Sequence, residues 1–139
     1  MFEALAAATT ILLLDQGSKK WIELPTRWTT LGFVARIRYV ENRKDAYQRA
    51  SVRVTMLLAW FAALLSIALL YRSGDWFQTR AALVGLGFAL AGAAGNLLDI
   101  FRRRCVVDLI DLGWWPVFNL ADVAIVGGLA LAFFEQVRT

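Results

Sequence analysis

A chain of 139 residues that is 59% hydrophobic, with a mean hydropathy of +0.55, lies outside the range of soluble domains and reads as an integral membrane protein. Its net charge of +4 comes from 15 lysines and arginines against 11 acids, with no histidine and one cysteine, Cys105. That inventory excludes an intrachain disulfide and the usual histidine-based or cysteine-based metal centres. Neither GxGxxG nor GxxxxGK[ST] occurs, so no cofactor is expected.

In chain order, the first apolar run covers about residues 2–18 and carries Asp15 near its end. It lacks the basic start of a cleavable signal peptide, and Lys19 stands one helical turn beyond Asp15, so it reads as a retained span with an i, i+4 ion pair. Residues 25–50 form the one substantial segment outside the apolar runs. Within it, "FVARIRYV" (33–40) alternates Phe33, Ala35, Ile37 and Tyr39 against Val34, Arg36, Arg38 and Val40, the pattern of a half-buried strand. "PTRWTTLG" (25–32) supplies a pairing strand and a turn, with Trp28 and nearby Trp21 as interfacial anchors. The second run, 54–71, has no charge, and the third, 81–98, is followed at once by Asp99. The fourth, 117–134, is about 18 residues long, which at ~1.5 Å per residue just covers the hydrocarbon core. The expected fold is an all-α membrane protein of a single domain, 1–139. Its four transmembrane helices are joined by a small β-sheet subdomain on the membrane surface, between the first two helices.

Acids and amides near the spans are few: Asp15, Asn96, Asp99, Asp108, Asp111, Asn119 and Asp122. A charge at the bilayer centre costs at least ~2.5 kcal/mol on insertion scales, so such residues face the bundle interior and mark function. All but Asp111 fall at span ends on one side. Asn96 shares a helix face with Asp99, and Asn119 with Asp122. A seam of small residues, Gly85, Ala89 and Gly92, lets a neighbouring helix approach closely, so that the polar ends converge. Two aspartates in a partly dry site cannot both ionise; one keeps a proton while the other activates water, which equips the pair for peptide hydrolysis without metal. Asp108 and Asp122 are the best such pair, joined by "DLGWWPV", whose Gly113 and Pro116 turn the chain back to the membrane.

Five motifs occur in fixed order: "DQGSK" (15–19), "VEN" (40–42), "AGAAGNLLD" (91–99), "VVDLI" (106–110) and "FNLAD" (118–122). Together they resemble lipoprotein signal peptidase, the signal peptidase II family, over nearly the whole chain. The resemblance implies an aspartic endopeptidase of the bacterial cytoplasmic membrane that removes signal peptides from prolipoproteins by cutting before the diacylglyceryl-modified cysteine. It implies Asp108 and Asp122 as the catalytic dyad. Asp15, Lys19, Asn42, Asn96, Asp99, Asn119 and Ala121 follow as substrate-binding or supporting residues. The implied partners are lipid-modified prolipoprotein signal peptides and the phospholipid membrane, with no nucleic acid, and the enzyme would act as a monomer.

The chain departs from the family pattern at two places. Ile100 stands where an arginine is expected, with Arg102, Arg103 and Arg104 just beyond, and "NRKDAY" (42–47) carries Lys44 in place of a glycine and adds Asp45. The family orientation puts the active site towards the outer face, yet twelve of the fifteen basic residues fall on that side, against the positive-inside rule. Two other readings stay open on the residues: a catalytically impaired relative that binds lipidated peptides, and a small proton or cation transporter subunit.

Overall fold

The computed structural model describes residues 2–23, 29–31, 35–42 and 50–138. "NRKDAY" beyond Asn42, Trp28, Phe33 and Val34 lie outside the described residues. Among the described residues there are four helices: α1 (Phe2–Ile22), α2 (Ala50–Ser73), α3 (Arg80–Arg103) and α4 (Leu120–Arg138). Each contains its expected apolar run apart from the first residues of the fourth, which begins at Leu120 because Asn119 caps it. Three of them, α2, α3 and α4, are long and apolar enough to cross a membrane. The remaining helix, α1, carries Glu3, Asp15, Lys19 and Lys20.

α3 is the hub, and its sequence explains why. Its Gly85, Ala89 and Gly92 are buried on the side facing α4. A Cβ at Gly92 would run into the carbonyl oxygen of Ala121, and one at Gly85 would lie 2.5 Å from that of Gly128, so the two backbones meet without intervening side chains. Gly95 performs the same service towards α1, where a Cβ would sit 2.7 Å from Asp15 Oδ2. By contrast α2 contributes no buried residue. It lies beside α3 across an apolar cleft of about 330 Å³ lined by Met56, Trp60, Leu90, Asn96 and Ile100 among others. Trp60 Nε1 bridges the two helices by donating to Leu90 O at 3.4 Å.

Among the described residues the sheet has three strands, β1 (Thr29–Leu31), β2 (Ala35–Asn42) and β3 (Val106–Asp111), all antiparallel in the order β1-β2-β3. This corrects the expectation of a sheet confined to residues 25–50, because its third strand comes from the α3–α4 connection. Val106, Val107 and Leu109 are buried along with Asp108, so β3 reads in sequence as a short apolar run without alternation. Between Ile37 and Val40 the β2–β3 register shifts. The consequence is large: a one-residue slip turns every later side chain to the other face, and it sets Val40 opposite Asp108 and Asn42 on the adjoining diagonal.

Candidate active site

Asp108 and Asp122 reach the same place by different routes, one from a strand and one from a helix. Phe118 ties those elements together, since its carbonyl accepts from Ile110 N at 2.8 Å and its own N–H donates to Ile110 O at 3.1 Å. The next residue, Asn119, caps α4. Its Oδ1 accepts from Asp122 N at 2.9 Å, while Asp122 Oδ2 accepts from Asn119 N at 3.1 Å. This is a reciprocal capping box, which satisfies two otherwise orphaned N–H groups and fixes the Asp122 carboxylate in the first helical turn. The Asn119 Nδ2 group then donates to Asp108 Oδ1 at 2.9 Å. One fully buried amide therefore spans both aspartates.

Each carboxylate also holds a second amide. Asn42 Nδ2 donates to Asp108 Oδ2 at 3.3 Å from β2, and Asn96 Nδ2 donates to Asp122 Oδ1 at 2.8 Å from α3. Asp108, outside the spans, keeps its proton above the usual carboxylate range. Burial is the main cause, opposed by the Asn42 bond, and the neighbouring charge of Asp122 reinforces the rise. An apolar groove of about 420 Å³ opens beside the pair, lined by Trp115, Phe118, Asp122, Val123, Val126 and Gly127.

Behind the aspartates lies a buried charge cluster that sequence spacing showed only in part. Lys19 pairs with Asp15 at 2.8 Å, as the i, i+4 spacing indicates, but also with Asp99 at 2.7 Å, and all three are fully buried. Asp15 Oδ1 accepts from Ala121 N at 3.0 Å, so an acid of α1 caps the first turn of α4, where the helix dipole favours negative charge. Asp99 receives Arg103 at 2.7 Å, and Arg103 in turn holds Glu23 at 2.9 Å. Asp99 thus takes a second cation from one turn further along α3. Ile100 itself is buried and faces the apolar cleft towards α2.

Of the residues expected from sequence, Asp15, Lys19, Asn42, Asn96, Asp99, Asp108, Asn119 and Asp122 form one connected network, which the backbone N–H of Ala121 joins. Gln16 was not expected and belongs to it: its Nε2 lies 3.1 Å from both Asp15 Oδ2 and Asp99 Oδ1. The signal was an uncharged polar residue beside an acid at the end of an apolar run. Asp111 stands apart at the end of β3, where Arg38 Nε approaches at 2.7 Å and Gly113 N donates at 2.8 Å. The Gly113 bond and the Arg38 charge draw its carboxyl below the usual range.

The fold is that of a bacterial membrane enzyme. One solved structure so described superimposes with a TM-score of 0.82 at 20% identity, covering 99% of this chain and 94% of the other. A second gives a TM-score of 0.81 at 19% identity, covering 99% and 89%. The family model of signal peptidase II matches residues 7–138, and the chain belongs to this family of aspartic endopeptidases. The lipoprotein signal peptidase of Syntrophomonas wolfei is 39% identical over 130 residues, covering 87% of this chain and 84% of that relative. That of Nitratidesulfovibrio vulgaris is 32% identical over 146 residues, covering 96% and 88%.

Proposed function

We propose that the chain cleaves signal peptides from bacterial prolipoproteins before the diacylglyceryl-modified cysteine, with Asp108 and Asp122 as the catalytic dyad. The observation that carries this reading is Asn119, whose Nδ2 donates to the Asp108 carboxylate and whose backbone N–H donates to that of Asp122, so one residue holds two carboxylates of unlike environment together. Asp108 is the more deeply buried and favours the protonated state, so it supplies the general acid to the scissile carbonyl. Asp122, held by Asn96 and the Asn119 backbone, acts as the carboxylate that activates water. As the tetrahedral intermediate collapses, the proton taken from water passes to the leaving amine. The apolar groove beside Asp122 suits the apolar substrate segment next to the cleavage site.

In this reading α1 is the fourth membrane span, its acids and lysines lying at its ends or against α3 and α4. The termini are cytoplasmic and the aspartates lie at the outer face of the inner membrane, where an exported substrate arrives. The protein acts as a monomer, since both aspartates and their amides come from one chain.

Purified protein incubated with a diacylglyceryl-modified prolipoprotein peptide is expected to release the signal peptide. Asp108→Asn and Asp122→Asn should each lower kcat at least about a thousandfold with the fold retained. Binding without cleavage by the unmodified protein would instead identify a catalytically impaired relative. A C-terminal reporter active only in the periplasm would overturn the orientation.

A further inference from the structure

The chain contains three asparagines, Asn42, Asn96 and Asn119, and all three donate to Asp108 or Asp122. A side-chain amide donates only from Nδ2 and accepts only at Oδ1, so the way each is turned decides whether a carboxylate meets a hydrogen or a lone pair. The capping bond from Asp122 N turns Asn119. Asn96 is turned by side chains: its Oδ1 lies 3.2 Å from Lys19 Nζ and 3.1 Å from Asn119 Nδ2. The Asn119 nitrogen also faces Val107 O and Asp108 Oδ1, three acceptors for two hydrogens. The stronger, charge-assisted hold on Asn96 is therefore that of Lys19.

We propose that Lys19 is a positioning residue of the peptidase, acting through Asn96: its ammonium holds the amide with Oδ1 towards α1 and Nδ2 towards Asp122. The stoichiometry supports this. An ammonium has three hydrogens and no acceptor, and Lys19 Nζ has three acceptors around it, Asp15 Oδ2 at 2.8 Å, Asp99 Oδ2 at 2.7 Å and Asn96 Oδ1 at 3.2 Å. Two carboxylates against one cation would leave the buried group one charge short. Arg103, itself paired with Glu23, supplies the second cation at Asp99. Lys19 is thereby shared between α1 and α3, and its third hydrogen sets the polarity of an amide that faces the dyad. A flipped Asn96 would set its oxygen against Asp122 Oδ1, two acceptors in contact.

This inference rests on the peptidase reading of Asp122, but its test has a readout independent of turnover. With 15N-asparagine the protein shows three side-chain NH2 pairs. In the unmodified protein the Asn96 amide hydrogens are expected to give Overhauser contacts to the Asp122 β-hydrogens and not to the Lys19 ε-hydrogens. The reverse pattern overturns the proposal without any variant. To keep the buried charge balanced, Lys19→Met is made on an Asp15→Asn background, whose new amide oxygen can still accept from Ala121 N. Adding Lys19→Met should then move the Asn96 pair and leave the Asn42 pair in place, with kcat lowered about tenfold and KM changed less than about twofold. An unmoved Asn96 pair, or the same kcat loss when Asn96 is already alanine, shows a merely structural lysine and ends the proposal. If the unmodified protein cleaves no lipidated peptide, the peptidase reading fails while the amide signals still decide the orientation.

Discussion

The two sides of α3 are built on opposite principles. Towards α1 and α4 it presents Gly85, Gly92 and Gly95 and the ends of Asn96 and Asp99, so backbones touch and buried charges are shared. Towards α2 it presents Leu90, Leu97 and Ile100 across clefts that side chains leave open, and no residue of α2 is fully buried. In lipid there is little hydrophobic gain from bringing apolar helices together, so close approach needs small residues or hydrogen bonds. The first side has both, and it holds the aspartates. The second has Trp60 with one long bond to Leu90 O, and Ile67 partly buried against the cluster of Phe77, Leu86 and Ala132.

Substitutions on each side should separate these principles. Gly92→Val on the α4 side forces a side chain into the Ala121 carbonyl and should cost about 3 kcal/mol or more, read as a lowered thermal midpoint in micelles together with lost cleavage. Stability unchanged by Gly92→Val would show that the α3–α4 contact is not the one that holds the bundle. A smaller effect is expected at the sheet. Asn42 donates to Asp108 and so favours its carboxylate form, whereas burial favours the acid. Removing the donor with Asn42→Ala lets Asp108 keep its proton to higher pH. The alkaline limb of the kcat/KM profile, which follows loss of the proton shared by the pair, should therefore move upward. A downward movement would place the acid elsewhere. Smaller still, Trp60→Phe on the α2 side should cost about 1 kcal/mol or less, through its one hydrogen bond. The smallest effect is expected for Ala62→Val on exposed α2, within about 0.5 kcal/mol. A large loss from Ala62→Val would mean that α2 packs more tightly than its exposure indicates.

What could be read from sequence follows the same division. Asp15, Asp99, Asp108 and Asp122 stand out because an acid near lipid has no cheap explanation, and Asn96 and Asn119 because each lies one turn before an acid on the same face. The apolar runs gave the helices for a similar reason. The strand β3 was hidden, since a segment buried on both faces loses the alternation that reveals a strand. The Asn42 contact was hidden further, because it depends on a register shift between Ile37 and Val40 that no periodicity records. The spacing of Asn119 and Asp122 indicated only a shared helix face, and that the pair forms the reciprocal cap at the start of α4 emerges from the fold. Arg103 lies four residues beyond Asp99, a readable spacing, but only the fold shows Glu23 beside it.

The bond from Ala121 N to Asp15 Oδ1 joins residues 106 apart in the chain, and it sets a timetable for assembly. During synthesis α1 is made long before α4 exists, so Asp15 first meets only neighbours on its own helix, Gln16 and Lys19. Asp99 can join them once α3 docks, but the first turn of α4, with Asp122 on it, is the last piece to arrive. The two aspartates are therefore not brought together until α4 is inserted. Insertion of α4 and completion of the site become one event.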